Sequence, residues 1–321
     1  MLRSETEPVP RGRAQRGRSY WRISLRRLMR KKLGVACLVI ILLMYGAGVL
    51  APVVTPYGYN DHNLAAAKQG PSLSHPFGTD RLGRDILTRT IFGLRTTVII
   101  TITTLLTGSL ALGITLGLIA GYFGRLIDTL IMRVGEVTSA FPEIFLVLII
   151  IATVKPPVTE WVRGIEDTLG VDIVRLGVVD YLVIALALSI FSWFGMARLV
   201  RGQVLQIREN QYIEAARAIG GSTPRILLNH VLPNVLPPVI VVVSAGLAAV
   251  AGSEVFLSFL GIGIQPPTPS LGLMIFENAS ISVLRTNPHL LLFPVGILAL
   301  LLLCFSLLGD AMNDAFNPRA R

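Results

Sequence analysis

The chain has 321 residues, of which 52% are hydrophobic and 15% are charged, and its formal net charge is +10. Soluble domains contain about 25% charged residues, so this composition excludes an ordinary soluble surface. It also excludes a disordered or collagen-like chain, and two cysteines inside apolar runs exclude a disulfide scaffold.

The positive charge is concentrated at the amino terminus. Residues 1–32 contain 11 of the 29 basic residues and two of the 19 acidic residues, so the remaining body is nearly neutral. Nucleic-acid binding is one interpretation, but the segment has few aromatic residues and leads directly into an apolar run. The positive-inside rule instead predicts a cytoplasmic tail that rests on anionic lipid. We expect disorder in residues 1–19 and a basic interfacial helix in residues 24–32.

Six apolar runs come near or exceed the roughly 20 residues that cross a bilayer as a helix. They are residues 33–54, 98–123, 127–154, 182–197, 239–260 and 290–309. The third is the least uniform, because it carries Arg133, Glu136 and Glu143 before its apolar part at 144–154. The sequence therefore predicts an all-α polytopic membrane protein with about six transmembrane helices. A signal peptide is the alternative for the first run, but its apolar part is longer than the usual h-region of about 7 to 15 residues. With an uncleaved first span, both termini are cytoplasmic.

The segment between the fourth and fifth spans, residues 198–238, is too long for a simple turn and is predicted to be cytoplasmic. Residues 212–219 have helix-forming composition, and two glycines follow that end the helix. Thr223 is the expected N-cap of a second short helix that begins at Pro224. Three prolines are expected to end this helix before the fifth span, namely Pro233, Pro237 and Pro238.

Two alanines of the first short helix, Ala215 and Ala216, are expected to form a flat face that another protein can approach, with Glu214 and Arg217 at its rim. An ordinary helical connection is the alternative. The EAA sequence, with Gly220 four residues after the last alanine, resembles the EAA loop of ABC importer permeases.

Two further stretches resemble the dipeptide/oligopeptide/nickel branch of these permeases. Residues 75–85 read HPFGTDRLGRD and residues 93–96 read GLRT, as before the second span of that branch. Residues 258–270 read SFLGIGIQPPTPS, as after its fifth span, although Leu271 stands where that branch has tryptophan. The resemblance covers about residues 26–317 and corresponds to the C-type permease of a pair.

The resemblance implies a type I ABC importer transmembrane domain with a cytoplasmic coupling helix at residues 214–220. It divides the chain into a basic cytoplasmic tail (1–32), the first span with an extracytoplasmic segment (33–92), a core of five helices (93–311) and a cytoplasmic tail (312–321). The chain has no GxxxxGK[ST] phosphate loop. ATP and Mg are therefore expected on partner ATPases, and this subunit is expected to have no catalytic residue, cofactor or metal.

The same resemblance implies an ATP-driven importer of short peptides that works by alternating access. The expected partners are a second, B-type permease, two ATPase subunits and an extracytoplasmic substrate-binding protein, in the plasma membrane of a bacterium or archaeon. The same machine carrying nickel or another small solute is the nearest alternative. An ion-gradient-driven secondary transporter is the alternative from a different class.

Polar residues inside the apolar runs are candidates for a substrate path, because ionisable side chains are costly in lipid and face a cavity or a partner. Glu254, with Ser253 beside it, is the first candidate, and a structural pair is the alternative for Glu254. Glu143 follows Pro142 and is the second candidate, with a polar contact to the backbone freed by a kink as the alternative.

The remaining unusual residues are given structural interpretations. Arg133 and Glu136 are expected to pair or to snorkel, and His230 has no second metal ligand nearby. Glycine recurs every four residues in the second span, at Gly113, Gly117 and Gly121. This stripe predicts close helix packing within the chain, with packing on a second permease as the alternative.

Overall fold

The computed structural model describes residues 20–170, 174 and 176–316, and its regular elements are all helical apart from one isolated bridge between Thr79 and Asp85. The helices are α1 (Tyr20–Arg30), α2 (Lys32–Val49), α3 (Ala51–Val54), α4 (Ile86–Thr104), α5 (Thr115–Phe123), α6 (Arg125–Ser139), α7 (Glu143–Leu169), α8 (Val178–Ile207), α9 (Gln211–Ala218), α10 (Thr223–Ile226), α11 (Leu232–Phe259), α12 (Leu271–Asn278), α13 (Ile281–Thr286) and α14 (His289–Phe316). A 3-10 turn covers Leu64–Ala66, and π-helical segments at Leu105–Ile114 and Leu227–Val231 join α4 to α5 and α10 to α11.

Six helical stretches in the described part of the chain are long and apolar enough to cross a membrane, which confirms the predicted all-α architecture with six spans. They are Lys32–Val49, Ile86–Phe123, Glu143–Thr168, Val178–Ile207, Thr223–Phe259 and His289–Phe316. The predicted loop at residues 198–238 is much shorter than expected, because α8 continues to Ile207 and the fifth stretch already begins at Thr223. The composition of an apolar run locates a span but does not show where the helix ends.

The third candidate span, Glu143–Thr168, begins later than the span predicted at residues 127–154, because a break separates α6 from α7. α6 ends at Ser139, α7 begins at Glu143, and Pro142 directly precedes α7. Proline has no N–H, and its ring disfavours helical backbone in the preceding residue, here Phe141. The helix is therefore interrupted at this point.

Ion pairs show that α6 and α7 pack along α8 one after the other. Towards the carboxyl end of α8, Arg201 Nη2 lies 2.7 Å from Asp128 Oδ2 of α6. Near the amino end of α8, Lys155 Nζ of α7 lies 2.9 Å from Asp180 Oδ1. The two helices thus run antiparallel to α8, and the interruption lies between the two ion pairs.

The predicted break between the second short helix and the fifth span is wrong. α10, the π-helical segment Leu227–Val231 and α11 continue without interruption through all three prolines. Pro233 follows the π-helical segment after a single residue, Leu232. Local π adjustments of this kind satisfy the carbonyls that proline leaves free in membrane helices. The segment after α9 is therefore continuous with the fifth crossing.

The glycine stripe of the second crossing packs against α8, as predicted. A Cβ added to any of Gly113, Gly117 and Gly121 would lie less than 3 Å from atoms of α8. At Gly117 the nearest atom is the carbonyl oxygen of Ala197, at 2.6 Å. Only glycine permits this approach of the two helices.

Buried charges hold the segment between the first two crossings against α4 and α12. The Asp80 carboxylate accepts hydrogen bonds from Arg84 Nε at 2.7 Å, from Arg89 Nη1 at 2.6 Å and from two backbone N–H groups. Glu277 of α12 lies 3.6 Å from Arg89 Nη1. Burial by itself raises the pKa of the Asp80 carboxyl, but Arg89 and the hydrogen bonds and charge of Arg84 outweigh burial and hold that pKa below its usual range.

α12 packs directly on α4. Leu271 is fully buried at the start of α12. A Cβ on Gly93 of α4 would lie 3.1 Å from the backbone nitrogen of Leu271. Ser270 caps α12, since its hydroxyl accepts a hydrogen bond from the N–H of Leu273 at 3.1 Å.

The predicted basic helix at the amino terminus is present but begins earlier than expected. α1 covers Tyr20–Arg30, and Lys31 separates it from α2. The expectation of disorder in residues 1–19 lies outside the described residues. At the other end, α14 continues to Phe316, so it extends into the predicted tail at residues 312–321.

Candidate functional site

α9, which contains the EAA sequence, is attached to the bundle by one face. Ile213 and Ala216 are buried among residues of α8 and α11, whereas Glu214 and Ala215 are exposed. Successive residues of a helix point about 100° apart, so the two alanines lie on different faces. The prediction that they form one flat surface is therefore wrong, and Ala216 instead seats the helix.

The two charged residues of α9 differ in their surroundings. The Arg217 guanidinium lies 5.1 Å from the ring centroid of Tyr122, a cation–π distance that ties α9 to the end of α5. Glu214 is exposed and has no ion-pair partner in the described part of the chain. Its carboxylate is thus available to another molecule.

A glycine elbow ends α9, as predicted. Gly220 has φ +80°, which favours glycine, and the N–H of Gly221 donates to the carbonyl of Ala216 at 2.9 Å. Ile219, beside the elbow, is 87% exposed. The N-cap of α10 is Ser222 rather than the predicted Thr223, because Ser222 has the extended backbone and its carbonyl accepts from Ile226 N–H.

A groove of about 330 Å³ lies beside the elbow. Its walls are Ala216, Ile219, Gly220, Gly221, Arg225, Ile226 and His230. His230 is one of these wall residues, and no cluster of three metal-ligating side chains is found among the described residues. The lining combines apolar side chains with the guanidinium of Arg225 and the imidazole of His230.

A second cavity, of about 220 Å³, lies among the membrane-crossing helices. Its polar wall residues are Thr104, Ser109, Glu143, Ser192 and Ser253, and apolar residues of α8 and α11 supply most of the remainder. Two of the three predicted path residues, Glu143 and Ser253, therefore lie on one cavity. Glu143 comes directly after the interruption between α6 and α7.

Glu254, the first candidate for the path, does not line this cavity. Its side chain is fully buried, with Thr97 Oγ1 donating to Oε2 at 2.8 Å and Ser258 Oγ donating to Oε1 at 3.0 Å. Both carboxylate oxygens thus contact protein groups of α4 and α11. This enclosure fits the structural alternative for Glu254, because neighbouring helices surround the residue, and its place in a substrate path stays a prediction for uptake measurements.

Two further sequence interpretations concern α6. Arg133 Nη1 lies 3.0 Å from Glu136 Oε2, which confirms the predicted pair, and both side chains are exposed. The pair between Asp128 and Arg201 was not predicted, because residues 73 positions apart give no local signal.

The sequence interpretation also missed two wall residues of the cavity, Ser109 and Ser192. Their only signal in the sequence was a hydroxyl within an apolar run.

One packed cluster connects α9 with the cavity. It contains Met196, Val200, Val204 and Ile207 of α8, Ile213 and Ala216 of α9, and Val235 and Val239 of α11. Met196 is also a wall residue of the cavity. The cluster thus extends from α9 to the cavity wall.

The chain is similar to known proteins over nearly its whole length. Residues 113–321 match the family described as binding-protein-dependent transport system inner membrane component, and residues 19–71 match the N-terminal TM domain of oligopeptide transport permease C. The chain is 36% identical over 303 residues to the dipeptide transport system permease protein DppC of Alkalihalophilus pseudofirmus, covering 94% of this chain and 91% of that relative. It is 34% identical over 307 residues to the oligopeptide transport system permease protein OppC of Escherichia coli, covering 95% of this chain and 93% of that relative.

Proposed function

We infer, from the fact that this chain belongs to the family of binding-protein-dependent transport system inner membrane components, that it is a permease subunit of an ATP-driven importer for di- or oligopeptides. The chain is a multi-pass membrane protein. The names of its dipeptide and oligopeptide relatives support the cargo. The observation that carries the mechanism is the seating of α9, which is buried through Ile213 and Ala216 and leaves Glu214 exposed.

In this proposal α9 and the elbow, residues 214–220, fit a groove on a partner ATPase. The Glu214 carboxylate contacts the ATPase, and Ala215, Arg217 and Gly220 complete the contact surface. Closure of two ATPase subunits on ATP and Mg moves α9, and the packed cluster carries this movement along α8 and α11 as a rigid body. Such movement switches the membrane domain between two arrangements, as alternating access requires.

The cavity between the crossings is this chain's half of the proposed path. Glu143 offers a carboxylate to the amino terminus of a peptide, and Ser253 and the other wall hydroxyls offer hydrogen bonds to its backbone. A second, B-type permease supplies the other half of the path. An extracytoplasmic binding protein delivers the peptide, and both termini of the chain lie in the cytoplasm of a bacterium or archaeon.

Co-purification and ATP-driven uptake test the coupling role of α9. We expect Glu214→Lys and Gly220→Trp to weaken ATPase association and uptake at least tenfold, because each places charge or bulk in the contact. Glu160→Lys and Gly170→Trp are matched controls, since Glu160 is exposed on α7, and Gly170 has the same left-handed backbone as Gly220, at φ +67°, with no atom within 4 Å of an added Cβ. Wild-type association and uptake in both α9 variants would refute the proposed coupling.

Uptake by a deletion strain tests the cargo. Complementation with the wild-type chain and its partner subunits should restore uptake of labelled di- or oligopeptides and leave nickel uptake unchanged. Restored nickel uptake without peptide uptake would show that the importer carries a different solute. Uptake that persists without ATPase subunits and depends on an ion gradient would refute the ATP-driven mechanism.

A further inference from the structure

α1 presents an unbalanced basic surface at one end of the bundle. Residues 20–34 contain six basic and no acidic residues. Five of the basic side chains are exposed and have no carboxylate partner in the described part of the chain, namely Arg22, Arg26, Arg27, Arg30 and Lys32. The sixth, Lys31, pairs with Asp314 of α14.

The same helix also exposes apolar side chains that its own protein does not cover. α1 docks on α14 through Ser24 and Leu28, which are buried, and Leu28 packs with Ala311 and Ala315. Leu25 and Met29 remain 57% and 60% exposed. Because they are four residues apart, they lie on one side of the helix, next to the docked face.

Two connections fix the position of α1 relative to the crossings, one to α2 and one to α14. Lys31 is the only residue between α1 and α2, and α2 is the first candidate span. The pair between Lys31 and Asp314 holds the same point to the end of α14, the last candidate span. α1 is therefore held where two spans leave the bilayer.

We propose that α1 is a binding surface for anionic phospholipid headgroups. The exposed arginines contact lipid phosphates, while Leu25 and Met29 insert among the uppermost acyl carbons, the arrangement of an interfacial amphipathic helix. A nucleic acid would match the charge but would leave the apolar pair exposed. The location beside two span ends favours lipid, and the proposal does not depend on the cargo or on ATPase coupling.

A fluorescent probe on α1 tests this proposal in the full-length protein. Both native cysteines, Cys37 and Cys304, are buried, so an environment-sensitive maleimide can be placed selectively on Leu25→Cys. The labelled subunit is reconstituted in nanodiscs of phosphatidylcholine, with or without phosphatidylglycerol. We expect a blue shift and protection from an aqueous quencher in the anionic discs, and their loss in high salt.

Substitutions of arginine supply the decisive comparison. In the labelled protein, Arg22→Gln with Arg26→Gln should lower the ratio of inserted to free α1 about fivefold for each arginine. Arg163→Gln with Arg285→Gln changes the net charge equally at exposed sites away from α1 and should leave the ratio unchanged. Equal emission in both lipids, or an unchanged response in the α1 variant, would overturn the proposal. A blue shift in phosphatidylcholine that needs added oligonucleotide or ATPase would likewise overturn it, in favour of those partners.

Discussion

Glu254 sits between α4 and α11 without access to the cavity, and each of its carboxylate oxygens accepts one hydroxyl hydrogen bond. An unsatisfied polar group in hydrocarbon costs several kcal/mol. The hydrogen bonds from Thr97 and Ser258 to Glu254 avoid this cost for all three side chains. The residue thereby fastens two crossings to each other. Glu143 has the opposite setting, since its side chain is on the cavity wall at the start of α7.

Truncation of Glu254 should destabilise the subunit without altering its path. Glu254→Ala leaves two buried hydroxyls without their acceptor, which costs about 1–3 kcal/mol and should lower the apparent Tm in detergent. Glu254→Gln keeps one acceptor, for Ser258, and its NH2 can donate to Thr97, whose hydroxyl can donate instead to the Gly93 carbonyl 3.3 Å away. This variant should therefore stay near the wild-type Tm and uptake rate. Loss of uptake in Glu254→Gln at wild-type Tm would instead place this side chain in the path.

Removal of the Glu143 carboxylate should impair transport and spare stability. A charged hydrogen bond contributes about 1.5–3 kcal/mol, so Glu143→Ala should lower peptide uptake roughly tenfold or more while the apparent Tm changes little. Glu160→Ala removes an exposed carboxylate elsewhere on α7 and serves as the control. Equal uptake by the two variants would exclude a contact between Glu143 and the substrate.

Interruptions of the helices lie next to the features that the proposed mechanism uses. The gap between α6 and α7 places Glu143 on the cavity wall, and the π-helical segment Leu105–Ile114 contributes Leu105 and Ser109 to the same wall. The other π-helical segment, Leu227–Val231, directly follows α10 and precedes α11. Irregular backbone is tolerated at membrane depth where it is buried or lines a cavity, which accounts for these positions.

Close contact between α5 and α8 should be intolerant of a larger side chain. In Gly117→Leu the new Cβ would lie 2.6 Å from the Ala197 carbonyl and 2.7 Å from Val200 Cβ, and overpacking costs about 1–3 kcal/mol. We expect a lower apparent Tm and loss of uptake. Gly202→Leu is the control, because a Cβ there meets no atom within 4 Å. An equal Tm in both variants would contradict the packing.

At the scale of the whole molecule, two groups of contacts join elements that are distant in sequence. The cluster around Asp80 joins the segment before α4 to α12 through Arg84, Arg89 and Glu277. At the other side of the cavity, apolar packing joins α9 to α8 and α11. These two groups of contacts are the ones through which the proposed movement of α9 would have to reach the opposite end of the bundle.

The Asp80 cluster predicts an acid limit to stability. Because its folded pKa lies below the unfolded value of about 4, the unfolded state binds more protons, and the stabilisation is complete above pH 4 and is lost as pH falls through the folded pKa. We expect Asp80→Asn to lower the apparent Tm at pH 7 and to differ less from wild type at pH 3. Asp167→Asn, at an exposed site, is the control. A difference between Asp80→Asn and wild type that does not shrink in acid would contradict this assignment.

The number of crossings, the glycine packing of the second crossing and the location of α9 could be predicted from the amino-acid sequence. These features are local, since apolar length, a four-residue repeat and the EAA-glycine order each lie within one stretch of chain. The folded arrangement was needed to show that Glu254 is enclosed, that Ala216 faces inward, and that Ser109 and Ser192 share a cavity with Glu143. Each of these outcomes depends on which helices surround a side chain, and hydrophobicity along a span does not specify its neighbours.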